Sequence, residues 1–99
     1  MARTLPEFKQ DLSPAVASLE ELGRVVRNRR AQSRMRIDDA AALSGVSSDV
    51  LSRLENGKPV TADKLMRVLE SLGLRMLVVP KSDIPALETV LGLSASEGR

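Results

Sequence analysis

The sequence predicts an all-α domain of four to five short helices followed by one short C-terminal strand. Three observations point there. With Phe8 as the only aromatic residue, the core must be built from Leu, Val, Ile, Met and Ala, and the many Leu and Ala residues favour helix. Apolar positions recur at helical spacing in successive windows between residues 19 and 72, opened by Ser, Thr or acidic residues and several times closed by Gly. The period then breaks at Leu74-Arg75-Met76-Leu77-Val78-Val79, a short run of strand formers closed by Pro80.

Residues 1–17 carry Pro6 and Pro14, mixed charge and weak periodicity, and read as an arm with a short helical turn after Ser13-Pro14. Ser18-Leu19-Glu20-Glu21 has the form of a capping box. It starts a first helix over residues 19–32, with Leu19, Leu22, Val25 and Val26 as its buried stripe and Gly23 as a point of close packing. A second helix spans residues 37–44. Asp38 and Asp39 lie in its first turn, where carboxylates favour the positive end of the helix dipole. Ala40, Ala41 and Leu43 suit tight packing, Gly45 stops the helix, and Val46 plugs the turn. Ser47 or Ser48 caps a third helix running to about Asn56, anchored by Leu51 and Leu54. Asn56-Gly57 ends it and Pro59 bars its continuation. Thr61 caps a fourth helix to about Leu72, stopped by Gly73. A further helix over residues 82–93, with Ser82 as cap and Ile84, Leu87, Val90 and Leu91 apolar, precedes a frayed tail. The expected organisation is therefore an arm (1–17), a helical domain (18–73), a strand (74–80) and a C-terminal helix and tail (81–99).

Leu74, Arg75, Met76, Leu77, Val78 and Val79 form the one convincing strand, and its backbone has no second strand to pair with inside the chain. Pairing with the same strand of a second copy satisfies it, which predicts a homodimer; the alternative is that the run extends the fourth helix, which Gly73 opposes.

The chain has 99 residues, no Cys and no His. Disulfides, Cys nucleophiles, His bases and Cys/His metal sites are thereby excluded. No nucleophile–base set and no phosphate-cradling Gly loop is visible, so neither an enzyme nor a cofactor is expected. No apolar stretch approaches the ~20 residues of a membrane span, and the cytoplasm is the expected compartment. Net charge is only +2, but Arg24, Arg27, Arg29, Arg30, Arg34 and Arg36 fall together with no acid among them. Such a block suits either a polyanion-facing surface or a solvated helix face with a structural ion pair.

The second and third helices, joined by a tight Gly turn, have the anatomy of a helix-turn-helix. Val46, Leu51 and Leu54 hold one side of the third helix on the core. Its other side carries Ser48, Asp49, Ser52 and Arg53, short and polar enough to enter a DNA major groove about 12 Å wide. Arg53 suits guanine O6 and N7, and Asp49 suits a cytosine amino group or simply a helix N-terminus. Asn56 and Lys58, in the loop that follows, suit phosphate oxygens.

Ala41, Leu43-Ser44-Gly45-Val46-Ser47 and Leu51-Ser52-Arg53-Leu54-Glu55-Asn56-Gly57-Lys58 resemble the Cro/C1 or XRE-type family of phage repressors and bacterial regulators, over roughly residues 22–72. The resemblance implies a lambda-repressor-like fold. It also implies a base-facing set of Ser48, Asp49, Ser52 and Arg53, and a phosphate-facing set of Arg36, Ser47, Asn56 and Lys58. Family members often carry Thr-Gln where Arg36-Ile37 stands here, so the phosphate contact made by that Gln is either lost or passes to Arg36. Arg30 and Glu55 resemble the family's internal salt bridge. The run Leu69-Glu-Ser-Leu-Gly-Leu-Arg-Met-Leu-Val-Val-Pro80 is similar to the end of HipB-type antitoxins, in which two copies pair their strands across a dimer axis. That likeness implies a repressor of its own operon, bound to an inverted-repeat operator in double-stranded DNA at the bacterial nucleoid, with a HipA-like kinase toxin as partner. A stand-alone XRE-type regulator, or an interaction module whose helix-turn-helix no longer binds DNA, are the other readings.

Overall fold

The computed structural model describes residues 13–91. Helix α1 spans Leu19–Gln32, α2 Ile37–Ser44, α3 Ser48–Glu55 and α4 Ala62–Ser71; a 3-10 turn at Lys81–Asp83 leads into α5, Ile84–Val90. α1 packs on α3, and α2 packs on both α3 and α4. The core is Val26, Ala40, Ala41, Leu51, Leu54, Val68, Leu69 and Leu72, with Leu22, Met35, Ile37, Val46, Val60, Leu65 and Leu74 packed around it. The adjacent alanines bring α2 close to both of its neighbours.

Ser18 begins α1 by accepting from the Glu21 amide at 3.1 Å. Glu21 returns the bond to the Ala17 amide, at 2.7 Å, one residue before the position a capping box uses. Each of the first four helices ends in the same way. A residue two or three beyond the last helical position bonds back five residues, as Met35 to Arg30, Val46 to Ala41, Lys58 to Arg53 and Leu74 to Leu69. This closure needs a left-handed residue in the turn. Gly45, Gly57 and Gly73 supply it, and in α1 it falls on Arg34 at φ 56.

Five expectations need correction. Leu43 does not share the tight packing of Ala40 and Ala41: it is 56% exposed on α2. Leu19 is exposed, not part of the buried stripe; α3 lies instead against the buried Gly23, four residues on. Thr61 stands at the N-cap of α4 but its side chain accepts no amide bond. Its hydroxyl instead bonds Asp63, and this is the main reason that carboxyl lies below its ordinary range. Ser82 does not cap the last helix: it lies within the 3-10 turn, and Pro85 in the first turn of α5 fixes a later start. Ser13-Pro14 opens no helical turn; residues 13–17 are irregular, and Ser13 Oγ donates to Glu88 of α5 at 2.9 Å. The remainder of the arm and the tail beyond residue 91 lie outside the described residues.

Residues 74–80 are neither helix nor strand within the chain. The strand expected there was one made by two chains, and a single chain offers it no ladder partner.

Gly23 positions α3. A Cβ there would stand 2.5 Å from the Leu54 carbonyl oxygen and 2.7 Å from that of Glu55. Helix propensity alone favours Gly23→Ala by up to ~1 kcal/mol, but backbone oxygens cannot swing aside as a side chain can. We expect the clash to win, with a net loss of about 1–3 kcal/mol in chemical denaturation. A stabilised Gly23→Ala protein would show that the α1–α3 spacing is not fixed by this contact.

Candidate nucleic-acid interface

The turn between α2 and α3 is tight because Gly45 takes φ 73 and lets the Val46 amide reach the Ala41 carbonyl at 3.0 Å. Ser47 then caps α3, its hydroxyl accepting from Val50 N at 3.1 Å. The cap satisfies an orphan amide of the first turn. Leu51 and Leu54 are buried at the inner side of α3, while Asp49 and Arg53 are exposed on the other and Ser48 and Ser52 are half-buried.

Not all of these side chains are free. Ser48 Oγ donates to Asp38 Oδ1 at 2.7 Å, tying the start of α3 to the start of α2. Arg53 lays one guanidinium nitrogen 3.0 Å from the Pro59 carbonyl, a neutral acceptor on the surface that a base or phosphate can replace. Asn56 donates its side-chain amide to Ser52 O at 2.8 Å. Arg36 is exposed at the N-cap position of α2 with no capping bond of its own. Lys58 is exposed just past α3, its backbone fixed by a 2.9 Å bond from its amide to Arg53 O. Of the residues expected to meet phosphates, Ser47 stands at the start of α3, Asn56 and Lys58 follow its end, and Arg36 stands at the start of α2.

Arg30 and Glu55 are brought together in a two-pronged pair. Nε and Nη2 of Arg30 meet the two carboxylate oxygens at 2.6 and 2.8 Å, and Nη1 donates to Met35 O at 3.0 Å. Both side chains are almost fully buried, at 7% and 5% exposure. The pair clamps the C-terminal end of α3 onto α1. Gly57 tightens the same junction: a Cβ there would lie 3.0 Å from Glu20 Cγ and 3.1 Å from its Cα.

The arginine block of residues 24–36 is not one surface. Arg30 is consumed by the ion pair, and Arg29 is half-buried, donating to Leu72 O at 2.7 Å. Arg24, Arg27, Arg34 and Arg36 remain exposed. The close packing expected at Gly23 is found against the Leu54 and Glu55 carbonyls. The roles of Arg29 and of the Asp38–Ser48 bond escaped the sequence, since nothing in the spacing separates Arg29 from its solvated neighbours. Among the described residues no group of acidic side chains is placed to hold a metal ion, and no helix is long and apolar enough to cross a membrane.

The model of the helix-turn-helix domain family matches residues 21–97. No curated protein matches the chain. Among solved structures, the chain is similar to HipB in a complex described as a HipB variant with an O2 20-mer, at 21% identity and a TM-score of 0.64, over 70% of this chain and 97% of that one. It is similar to the same degree, over 70% of this chain and 99% of the other, to a chain of a HipA–HipB–O2–O3 complex, again at 21% identity and a TM-score of 0.64. A HipB–O4 20-mer complex matches with the same TM-score of 0.64. At this identity the likeness is one of fold.

Proposed function

Because the chain belongs to the helix-turn-helix domain family, we propose that it is a dimeric, sequence-specific DNA-binding repressor of the HipB-like kind, acting in the bacterial cytoplasm at the nucleoid. The observation that carries this reading is the presentation of α3. It is clamped to the core at its C-terminal end by Arg30 and Glu55 and leaves Asp49 and Arg53 exposed. A rigid polar helix flanked by phosphate-type donors is the device that reads a major groove. Ser48, Asp49, Ser52 and Arg53 face bases, while Arg36, Ser47, Asn56 and Lys58 face phosphates. The bond between Ser48 and Asp38 makes Ser48 the least free of the first group, and Arg53 the strongest reader in it.

Residues 74–80 supply the dimer contact, and a HipA-like kinase toxin is the proposed second partner. The support for that partner is the likeness of fold to HipB, one of whose solved complexes contains HipA, together with the HipB-like run of residues 69–80. No catalytic role is proposed for any residue of the chain.

Two substitutions test the interface. Arg53→Ala relaxes sequence preference at one base pair, at about 1–3 kcal/mol. Lys58→Ala weakens binding to all sequences alike and lowers the salt slope by about one unit. Binding titrations on matched and single-mismatch duplexes at several salt concentrations separate the two. Loss of only non-specific affinity in both would remove Arg53 from base reading.

A further inference from the structure

Arg29 and Arg30 are neighbours on α1, yet they grip different parts of the domain. Arg30 holds Glu55, at the end of α3. Arg29 Nε donates to Leu72 O at 2.7 Å, at the end of α4, and its Nη1 donates to Gln32 Oε1 at 3.3 Å. A cation there also opposes the negative end of the α4 dipole. α4 otherwise packs on α2, and α1 on α3, so Arg29 is a direct tie between α1 and the point where the chain leaves α4.

That point matters for geometry. At Gly73 the backbone turns left-handed, with φ 75, and a Cβ there would stand 3.1 Å from the Arg29 guanidinium. Leu74 N is bonded to Leu69 O at 2.8 Å. From Arg75 to Val79 no backbone amide finds a partner among the described residues. Leu77 and Val78 are 73% and 90% exposed. The direction taken by residues 74–79 is therefore set at Leu72–Gly73, under Arg29.

We propose that Arg29 is a positioning residue that sets which spacing between two DNA half-sites the dimer accepts; this rests on the dimeric DNA-binding reading above. One turn of α1 then links the reading helix, through Arg30, to the dimer segment, through Arg29. The two-fold axis doubles any displacement at the exit of α4. A shift of about 1.7 Å per protomer supplies the rise of one base step, about 3.4 Å, and a change in the direction of residues 74–79 supplies the turn of about 35° that goes with it.

The test measures binding to a series of inverted repeats whose half-site separation varies by single base pairs. The unsubstituted protein prefers one spacing by about 10-fold or more over its neighbours, the size of a mismatch penalty. Arg29→Ala is expected to remain a dimer with the same half-site sequence preference while that discrimination falls to about 3-fold or less. Arg29→Lys, which keeps one donor for Leu72 O, lies between them. Val68→Ala serves as a control that lowers the melting temperature without touching the tie, and it keeps the spacing profile. An unchanged profile in Arg29→Ala, or an equal flattening in Val68→Ala, overturns the assignment. If Arg29→Ala does not fold, the comparison of Arg29→Lys with Arg29→Gln decides it, and equal profiles overturn it. An unsubstituted protein that is monomeric, or indifferent to every inverted repeat, fails the underlying reading instead, and is recognised before any variant is made.

Discussion

Glu55→Ala is expected to cost the domain about 3–5 kcal/mol, because it strands a buried guanidinium. Arg30 is held by both carboxylate oxygens, at 2.6 and 2.8 Å, and the site is closed to water. Removing the carboxylate leaves only the Met35 carbonyl as partner. Arg30→Ala leaves the converse problem and an unpaired Met35 carbonyl besides. At about 4–8 °C per kcal/mol for a domain of this size, either variant melts ~12 °C or more below the parent. The pair between Arg75 and Glu70 provides the contrast. Its atoms are 4.0 Å apart, at 80% and 78% exposure, and such a contact contributes about 0–1 kcal/mol. Glu70→Ala should therefore melt close to the parent. A double replacement, Arg30→Met with Glu55→Leu, should lose less than either single change, since no buried charge is left behind. Equal melting of parent and Glu55→Ala would mean that the clamp on α3 contributes nothing.

Leu77→Pro is expected to dissociate the dimer and to lower operator affinity by about 100- to 10,000-fold, the gain that joining two binding modules supplies. Leu77 is 73% exposed in the single chain, so no intramolecular packing is lost. Its amide has no partner among the described residues. Proline at that position costs the monomer little, but it deletes a ladder donor from any strand built by two copies. Sedimentation of Leu77→Pro as an intact dimer that still grips its operator would place the dimer contact elsewhere.

Much of this architecture was legible in the chain. Ser18, Ser47, Gly45, Gly57 and Gly73 are chemical punctuation, since each satisfies or redirects backbone groups that a helix end leaves open, and the start of α1, the end of α2, both ends of α3 and the end of α4 follow from them. What stayed hidden depends on neighbours distant in sequence. Leu19 fits a helical stripe, yet it is exposed and α3 lies against Gly23. Ser82 reads as a cap, yet Pro85 moves the start of α5. Arg29 and Arg30 are the same residue type side by side; the family resemblance singled out Arg30 as the partner of Glu55, and only the fold shows that Arg29 meets a helix end. The strand expected over residues 74–79 is of another kind: its proposed partner is a second chain, and within this chain residues 74–80 form neither helix nor strand.

The central claim is that α3 reads DNA from a two-fold dimer. The most direct measurement is sequencing of random DNA fragments selected by the purified, full-length protein. The account predicts enrichment of an inverted repeat whose half-site centres lie about one helical turn, ~34 Å, apart, with one base pair of each half-site losing its enrichment when Arg53→Ala makes the selection. A selected pool no different in sequence from the input, for a folded protein at moderate salt, would contradict it.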